Sequence, residues 1–195
     1  MRRLLITGFE PFGGEKINPS WEAVKRLPDM MGEYELTKLC IPVTFEGAAK
    51  TVNHFAAAVK PDVILCIGQA GGRSAVTPEL VGINLKYGRI PDNAGEQPMD
   101  ERILVGGADA YFSTVPARQM AEAIAGKGLP AQLSYTAGAY VCNCVFYSLL
   151  AHFENTGTKV GFIHVPFLPE QAKNGEPSMQ MDEMVKALTV AIETL

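Results

Sequence analysis

Cys142 is the residue best placed to do chemistry, because it stands in the first turn of a predicted helix. That helix is expected over residues 141–154, since apolar side chains recur every four positions and Gly157 follows its end. Unpaired N–H groups and the positive end of the helix dipole stabilise a thiolate there, which lowers its pKa below the free value of about 8.5. The same N–H groups can receive an oxyanion. The sequence therefore predicts a nucleophilic thiol at Cys142.

A thiol nucleophile needs a group that moves its proton, and the chain has three histidines. His54 lies in an amphipathic helical stretch, and His152 lies roughly 15 Å from Cys142 along the axis of the same predicted helix. His164 instead ends an apolar run that is typical of a strand, and sites in open α/β sheets gather at such ends. His164 is the predicted proton carrier, although most single histidines have no chemical role.

A carboxylate that orients the imidazole would complete a triad. Glu79 comes directly before an apolar strand, where a charge needs a partner. Glu10, Asp92 and Glu96 are competitors, and spacing alone leaves the choice between the four carboxylates open.

Two glycine-rich loops follow predicted strands, at residues 8–14 and 68–73. Neither has the Gly-Lys-Ser/Thr ending of a P-loop or the dinucleotide-binding pattern, so nucleotide binding is not favoured. Phe9 and Phe12 lie in the first loop, where aromatic rings can form the wall of an apolar pocket. The alternative is that both rings pack over the edge of the sheet.

The pair Cys142 and Cys144 does not indicate a metal site. Zinc sites usually need a second ligand pair at suitable spacing, and the other cysteines and histidines are scattered. On a helix the two side chains point about 200° apart, so Cys144 is expected to be a small buried residue. We expect no metal.

Composition indicates one domain over residues 1–195, because 47% of the residues are hydrophobic and no composition break divides the chain. The net charge of −4 and the absence of basic runs argue against nucleic acid as a partner. No apolar stretch is long enough to cross a membrane. Four cysteines without a disulfide-framework spacing are typical of a reducing cytoplasm.

Strands and helices alternate along most of the chain, which predicts a three-layer α/β/α sandwich with a mainly parallel, mixed and twisted sheet. A terminal helix is expected to begin at an N-cap formed by Ser178. The predicted strands cover residues 4–8, 35–43, 62–68, 81–86, 132–135 and 160–164, and the other predicted helices cover residues 20–27, 45–59 and 117–125.

Five segments together resemble the type I pyroglutamyl peptidases, a family of cysteine exopeptidases. In the order of the family, and over nearly the whole chain, they are TGFEPFGG with INPS, GQAGGR, PELVGINLKYGRIPDNAGEQP, SYTAGAYVCN and GFIHVPFLPEQ. The resemblance implies that Glu79, Cys142 and His164 are the catalytic residues. It also matches Phe9 and Phe12 to aromatics that bind the substrate ring, with the polar edge of the ring near Gln69.

The resemblance implies hydrolysis of an N-terminal pyroglutamyl (5-oxoprolyl) residue from peptides through an acyl-enzyme, with no cofactor and commonly as a homotetramer. Two other functions fit some of the same residues. A nucleoside phosphorylase-like enzyme would share the layer pattern but needs a phosphate cluster, for which Arg73 and Arg89 alone provide little charge. A peptide-binding or redox-sensing protein would keep Cys142 reactive without turnover.

Overall fold

The computed structural model describes all residues, 1–195, and contains eight strands and five helices. The strands are β1 (Arg2–Phe9), β2 (Met30–Met31), β3 (Tyr34–Ile41), β4 (Val63–Gln69), β5 (Thr77–Pro78), β6 (Val81–Ile83), β7 (Ala110–Phe112) and β8 (Lys159–Val165). The helices are α1 (Pro19–Arg26), α2 (Gly47–Val59), α3 (Ala117–Gly126), α4 (Val141–His152) and α5 (Met181–Glu193). No helix is long and apolar enough to span a membrane.

Six strands form one sheet in the order β2-β3-β1-β4-β8-β5. The four central strands, β3, β1, β4 and β8, are parallel, whereas the short edge strands β2 and β5 are antiparallel to their neighbours. Strands β6 and β7 pair with each other in a separate two-stranded sheet. The predicted α/β class with a mainly parallel, mixed sheet is confirmed.

Each face of the main sheet is covered by helices, which explains why the central strands are apolar throughout. Along β1, Leu4 and Ile6 pack against residues from α1, α3 and α5, while Leu5 faces α2 and α4. Strand β4 alternates in the same way, with Leu65 on the first side and Cys66 on the second. The three predicted layers are therefore present, and α4 lies in the layer formed with α2.

Two predicted strands differ from the structure. The segment predicted over residues 81–86 is a strand only over Val81–Ile83, and it belongs to the small sheet with β7. The segment predicted over 132–135 is not a strand, although Ser134 forms an isolated parallel bridge with Glu79. Its backbone hydrogen bonds to residues 76–80 form only two separate bridges, because Pro78 has no N–H to donate between them.

The N-cap of the terminal helix is also different from the prediction. Gln180, not Ser178, precedes the first residue of α5, and its backbone N–H donates to the carboxylate of Glu183 at 3.2 Å. Ser178 instead forms a parallel bridge with Phe167, which draws it into the connection after β8. A backbone pairing distant in sequence therefore replaces the local capping role expected of the serine.

Candidate active site

The parallel strands β1, β4 and β8 end at one edge of the sheet, where α4 begins. A cavity of about 240 Å³ opens there. Five of the six predicted site residues line it, namely Phe9, Phe12, Gln69, Cys142 and His164. Glu79 lies behind His164 and is fully buried. The structure thus brings together residues that are far apart in sequence, at the edge where α/β sheets place ligands.

Cys142 is the second residue of α4 and is partly exposed to the cavity. Gly138 has φ +78° in the turn before the helix, a conformation that a side chain would disfavour. No side chain caps the N-terminus of α4, so the amides of its first turn, which have no acceptor within the helix, are available to a ligand. This is a suitable position for an oxyanion beside the thiol.

Asn143 fixes the start of α4. Its side chain is fully buried, receives the Ile83 N–H at 2.9 Å and donates to the carbonyls of Ile83 and Leu85, each at 2.9 Å. The helix turn that carries Cys142 is therefore attached to the segment around β6 by three hydrogen bonds. Because that segment follows Glu79 directly, the nucleophile and the acidic residue share one support.

His164 and Glu79 form a buried pair. The Nδ1 atom of His164 lies 2.7 Å from Oε1 of Glu79, and both side chains are almost completely buried. A carboxylate at this position accepts from Nδ1–H and thereby leaves Nε2 of the neutral imidazole as a proton acceptor. The geometry is that of an imidazole base oriented by a carboxylate.

Two of the three competing carboxylates, Glu10 and Asp92, have other partners. Glu10 receives the Val43 N–H at 3.2 Å and the side-chain amide of Asn93 at 2.7 Å. Asp92 receives the backbone N–H groups of Phe45, Ala94 and Glu96. Both therefore support loops around the cavity, and Glu79 alone of the four carboxylates contacts an imidazole.

Gly68 brings the thiol and the imidazole to the same face of the sheet. It pairs with His164 across β4 and β8, and a β-carbon built on it would lie 3.0 Å from the sulfur of Cys142 and 2.8 Å from the ring of Phe162. Phe162 and His164 in turn have ring centroids 4.8 Å apart. A glycine is thus required here because a larger residue would occupy the place of the thiol.

Burial dominates the electrostatics of the thiol. It raises the pKa of Cys142 to about 12, with the negative charge of Glu79 acting in the same direction. Burial also lowers the pKa of His164 below 6.5, against the opposite effect of Glu79. The expectation that the helix position lowers the pKa of Cys142 is therefore wrong for the free protein, because desolvation of the thiolate outweighs the helix terminus. The resting pair is a neutral thiol and a neutral imidazole.

Phe9 and Phe12 have different settings. Phe9 is the last residue of β1, is 2% exposed and packs near Phe162 with ring centroids 6.3 Å apart, so its predicted place in a loop is wrong. Phe12 does lie in the loop, with its ring centroid 6.2 Å from that of Tyr140. Both aromatic rings nevertheless reach the same cavity, which is consistent with an apolar wall.

Three residues at the cavity were not predicted to have a role there. Tyr140 lines it and donates its hydroxyl to the Pro91 carbonyl at 3.1 Å, and Asn18 lines it beside the N-terminus of α1. Gln171 lies behind Gln69 and contacts its side chain. All three are in the motifs quoted above, but their long-range partners leave no periodic signal in the sequence.

Arg73 forms an ion pair with Glu79. Its Nη1 atom lies 2.6 Å from the same Oε1 that contacts His164, and its Nη2 donates to the Thr136 carbonyl at 3.1 Å. Because this guanidinium is paired, it does not supply a free cation for phosphate.

Comparison with known proteins identifies the family. The sequence model of the family described as pyroglutamyl peptidase matches residues 2–195. The pyrrolidone-carboxylate peptidase of Lactobacillus helveticus is 50% identical over 98% of each chain, and that of Thermococcus onnurineus is 49% identical over 98% of each chain. The crystal structure of pyroglutamyl peptidase I from Bacillus amyloliquefaciens has a TM-score of 0.96 at 43% identity, covering 100% of this chain and 96% of the other. This chain belongs to the type I pyroglutamyl peptidases, a family of cysteine peptidases.

Proposed function

We propose that this protein hydrolyses the bond after an N-terminal pyroglutamyl residue of peptides, using Cys142, His164 and Glu79 as a catalytic triad. The observation that carries the proposal is the 2.7 Å contact between His164 and the buried Glu79 in the wall of the cavity that holds Cys142. The family of the chain supports the substrate class.

The chemistry of the substrate suits the cavity. A pyroglutamyl ring is a lactam and carries no ammonium group, so its site needs apolar walls and a few hydrogen bonds. Phe9, Phe12 and Val141 supply apolar surface, and Gln69 supplies a polar side chain. No free carboxylate lines this cavity, which disfavours a substrate with a charged amine.

The neutral resting pair determines how the first step proceeds. Nε2 of His164 removes the proton from the Cys142 thiol while the sulfur attacks the pyroglutamyl carbonyl carbon. The carbonyl oxygen becomes an oxyanion beside the first N–H groups of α4. Glu79 stabilises the imidazolium that forms, without itself becoming protonated.

Breakdown of the tetrahedral intermediate releases the peptide. The imidazolium gives its proton to the leaving nitrogen, the C–N bond breaks, and a pyroglutamyl thioester remains on Cys142. His164 then takes a proton from water, the resulting hydroxide attacks the thioester, and the thiol leaves as it regains the proton. The steps use only groups of this chain and water, so activity is expected to survive dialysis against a metal chelator.

The proposal is tested by release of a fluorescent amine from a pyroglutamyl amide. Purified, reduced protein should hydrolyse this amide, whereas Cys142→Ser should lose activity by a factor of about 1,000 or more while remaining folded. The matching prolyl amide, which lacks the ring oxygen, should be a poor substrate. Equal activity in Cys142→Ser would exclude the cysteine as nucleophile.

We also propose that the chain forms a single domain and assembles as a homotetramer in the cytoplasm. One central sheet joins strands from residue 2 to residue 165, which supports one folding unit. Exposed large apolar side chains, including Val105 and Phe112, support contacts between copies. The four cysteines form no disulfide, which suits a reducing compartment. The single domain is tested by whether unfolding shows a single transition. Light scattering tests for a tetrameric mass, and cell fractionation tests the cytoplasmic location.

A further inference from the structure

Arg89 carries a positive charge that has no partner within the protein. Its side chain is exposed. The arginines that form ion pairs are Arg2, Arg26, Arg73 and Arg102, and Arg89 forms none. A guanidinium without a counter-charge is available to a negatively charged ligand.

This guanidinium lies beside the cavity that holds Cys142. Arg89 lines two hollows of about 350 Å³ and 360 Å³, and both share Phe12 with that cavity. Burial, the largest effect, raises the pKa of Tyr140 above 10.0, and the positive charge of Arg89 acts in the opposite direction. Because a charge in water is largely screened beyond about 10 Å, the guanidinium must lie near the hydroxyl of Tyr140, which itself lines the cavity.

Hydrogen bonds fix the backbone of Arg89 relative to the nucleophile. The side-chain amide of Gln97 donates to the Arg89 carbonyl at 3.3 Å. Two residues earlier, the Tyr87 N–H donates to the Ala139 carbonyl at 2.7 Å. Ala139 comes only three residues before Cys142, in the turn that leads into α4. The segment that carries the unpaired cation is therefore attached to the segment that carries the thiol.

The carboxylates across the first hollow have other partners. Glu15 lies 3.8 Å from Nζ of Lys173, and Glu176 receives the Lys173 N–H at 3.0 Å. The other arginine at the cavity, Arg73, is already paired. Arg89 is thus the unpaired cation that a negative group leaving the cavity would meet.

We propose that Arg89 is a specificity residue that binds the C-terminal carboxylate of pyroglutamyl dipeptides, so that dipeptides with a free C-terminus are preferred substrates. This inference rests on the proposed function. The pyroglutamyl ring and the bond to be cleaved are uncharged, and the carboxylate of a dipeptide is its only charge. It lies one residue beyond that bond, on the part that is released. A guanidinium can donate two parallel N–H groups to it.

The test compares pyroglutamyl-alanine with pyroglutamyl-alanine amide, which differ only in the terminal carboxylate. Chromatography measures the release of pyroglutamate from each. The wild-type protein should have a kcat/KM about fivefold higher for the acid at low salt, mainly through KM, as expected for an exposed ion pair. The preference should fall toward one at about 1 M salt, because salt screens exposed charges. A wild-type ratio of one or less at low salt would overturn the proposal without any variant.

Two variants assign the preference to Arg89. Arg89→Gln should lower the ratio to about one while hydrolysis of the amide stays within about twofold of wild type, and Arg89→Lys should keep most of the preference. Arg118→Gln makes the same change of net charge at another exposed arginine without an ion pair, and it should keep the wild-type ratio. An unchanged ratio in Arg89→Gln would contradict the proposal.

A second pair of substrates separates the two possible sources of a carboxylate. Pyroglutamyl-aspartic acid diamide and pyroglutamyl-asparagine amide should be hydrolysed at similar rates if the preference is specific for the C-terminus. An Arg89-dependent preference for a side-chain carboxylate that equals that for pyroglutamyl-alanine would overturn this specificity.

The outcomes also distinguish this inference from the proposed function. Failure of wild-type protein to hydrolyse either alanine substrate would contradict the function itself. Hydrolysis of both without a preference for the acid would contradict only the role of Arg89.

Discussion

Glu79 receives two donors on a single oxygen. The imidazole of His164 and the guanidinium of Arg73 both contact Oε1, while Oε2 is buried with no hydrogen-bond partner. Burial alone would raise the pKa of this carboxyl, but the hydrogen bond and charge of His164 and the charge of Arg73 together lower it below 4.5. The carboxylate therefore stays ionised at neutral pH, as an orienting acid must.

Arg73 is expected to affect activity through Glu79 and His164. Arg73→Gln should lower kcat about 10–100-fold, since it removes a charge-assisted hydrogen bond worth about 1.5–3 kcal/mol. The positive charge of Arg73 also helps to lower the pKa of His164, although burial is the larger cause. Its removal should therefore shift the acid limb of kcat/KM to higher pH. Arg73→Lys keeps the charge and should keep the limb, and an unshifted limb in Arg73→Gln would contradict this coupling.

The raised pKa of Cys142 has a direct chemical consequence. With a thiol pKa of about 12, the thiolate fraction is small at neutral pH. The rate of alkylation of Cys142 by iodoacetamide should therefore rise about tenfold per pH unit from about pH 7 to pH 10. Peptide mapping separates this reaction from that of the exposed Cys40, and Cys142→Ser supplies the blank. A plateau below pH 7 would indicate a resting thiolate–imidazolium pair instead.

At the scale of elements, the close approach of α4 to the ends of β4 and β8 assembles the site. Gly68→Ala should displace the sulfur of Cys142 or the ring of Phe162, because its β-carbon would lie 3.0 Å and 2.8 Å from them. We expect kcat to fall about 100-fold, since small displacements of a reacting group have effects of this size. Steady-state kinetics on the pyroglutamyl amide measure the change.

Gly157→Ala is the matched control, because a β-carbon there would meet no atom within 4 Å. It should leave kcat unchanged. Wild-type activity in Gly68→Ala would show that α4 has room to move away from the sheet, contrary to the packing described above.

Local patterns predicted those parts of the structure that depend on local sequence. The apolar runs identified β1, β4 and β8, and the four-residue spacing identified α4, because burial on one or both faces leaves a periodic signal. The same signal placed Cys142 in a first turn. Pairings between segments that are distant in sequence left no periodic signal. The bridges around Pro78 and Ser178 depend on which segments become neighbours in space.

The same limit applies to the candidate site. Residue types and strand ends pointed to Cys142 and His164, but spacing could not choose Glu79 among four carboxylates until the family resemblance was considered. The contact of Gln171 with Gln69 joins residues 102 positions apart, and no local pattern reveals it. The pKa of Cys142 depended on how deeply the thiol is desolvated, which a helix position does not specify.

At the scale of the whole molecule, the site is enclosed by the fold, so its titration affects stability. His164 has a pKa lowered below 6.5 and Glu79 one lowered below 4.5, the first mainly by burial and the second by its partners despite burial. In both cases the unfolded chain binds a proton at a higher pH than the folded chain does. The free energy of unfolding should therefore fall as the pH drops below about 6.5, and again below about 4.5.

Urea unfolding across this pH range measures both stages. His164→Asn should lose the first stage, while His54→Asn, at an exposed histidine, should retain it. Stability that stays constant between pH 7 and pH 5 in the wild-type protein would contradict the buried neutral imidazole.

The covalent intermediate is the most direct test of the triad. Purified protein is mixed with an excess of an activated pyroglutamyl ester, quenched in acid within one turnover, and examined by intact mass and peptide mapping. We predict a mass increase of one pyroglutamyl group on the peptide that contains Cys142, accumulating further in His164→Asn if deacylation is slowed more than acylation, and absent in Cys142→Ala. The contradicting result would be product formation by wild-type protein without any pyroglutamyl group on Cys142. If that group is missing at every quench time, even during a burst of product, the acyl-enzyme mechanism is wrong.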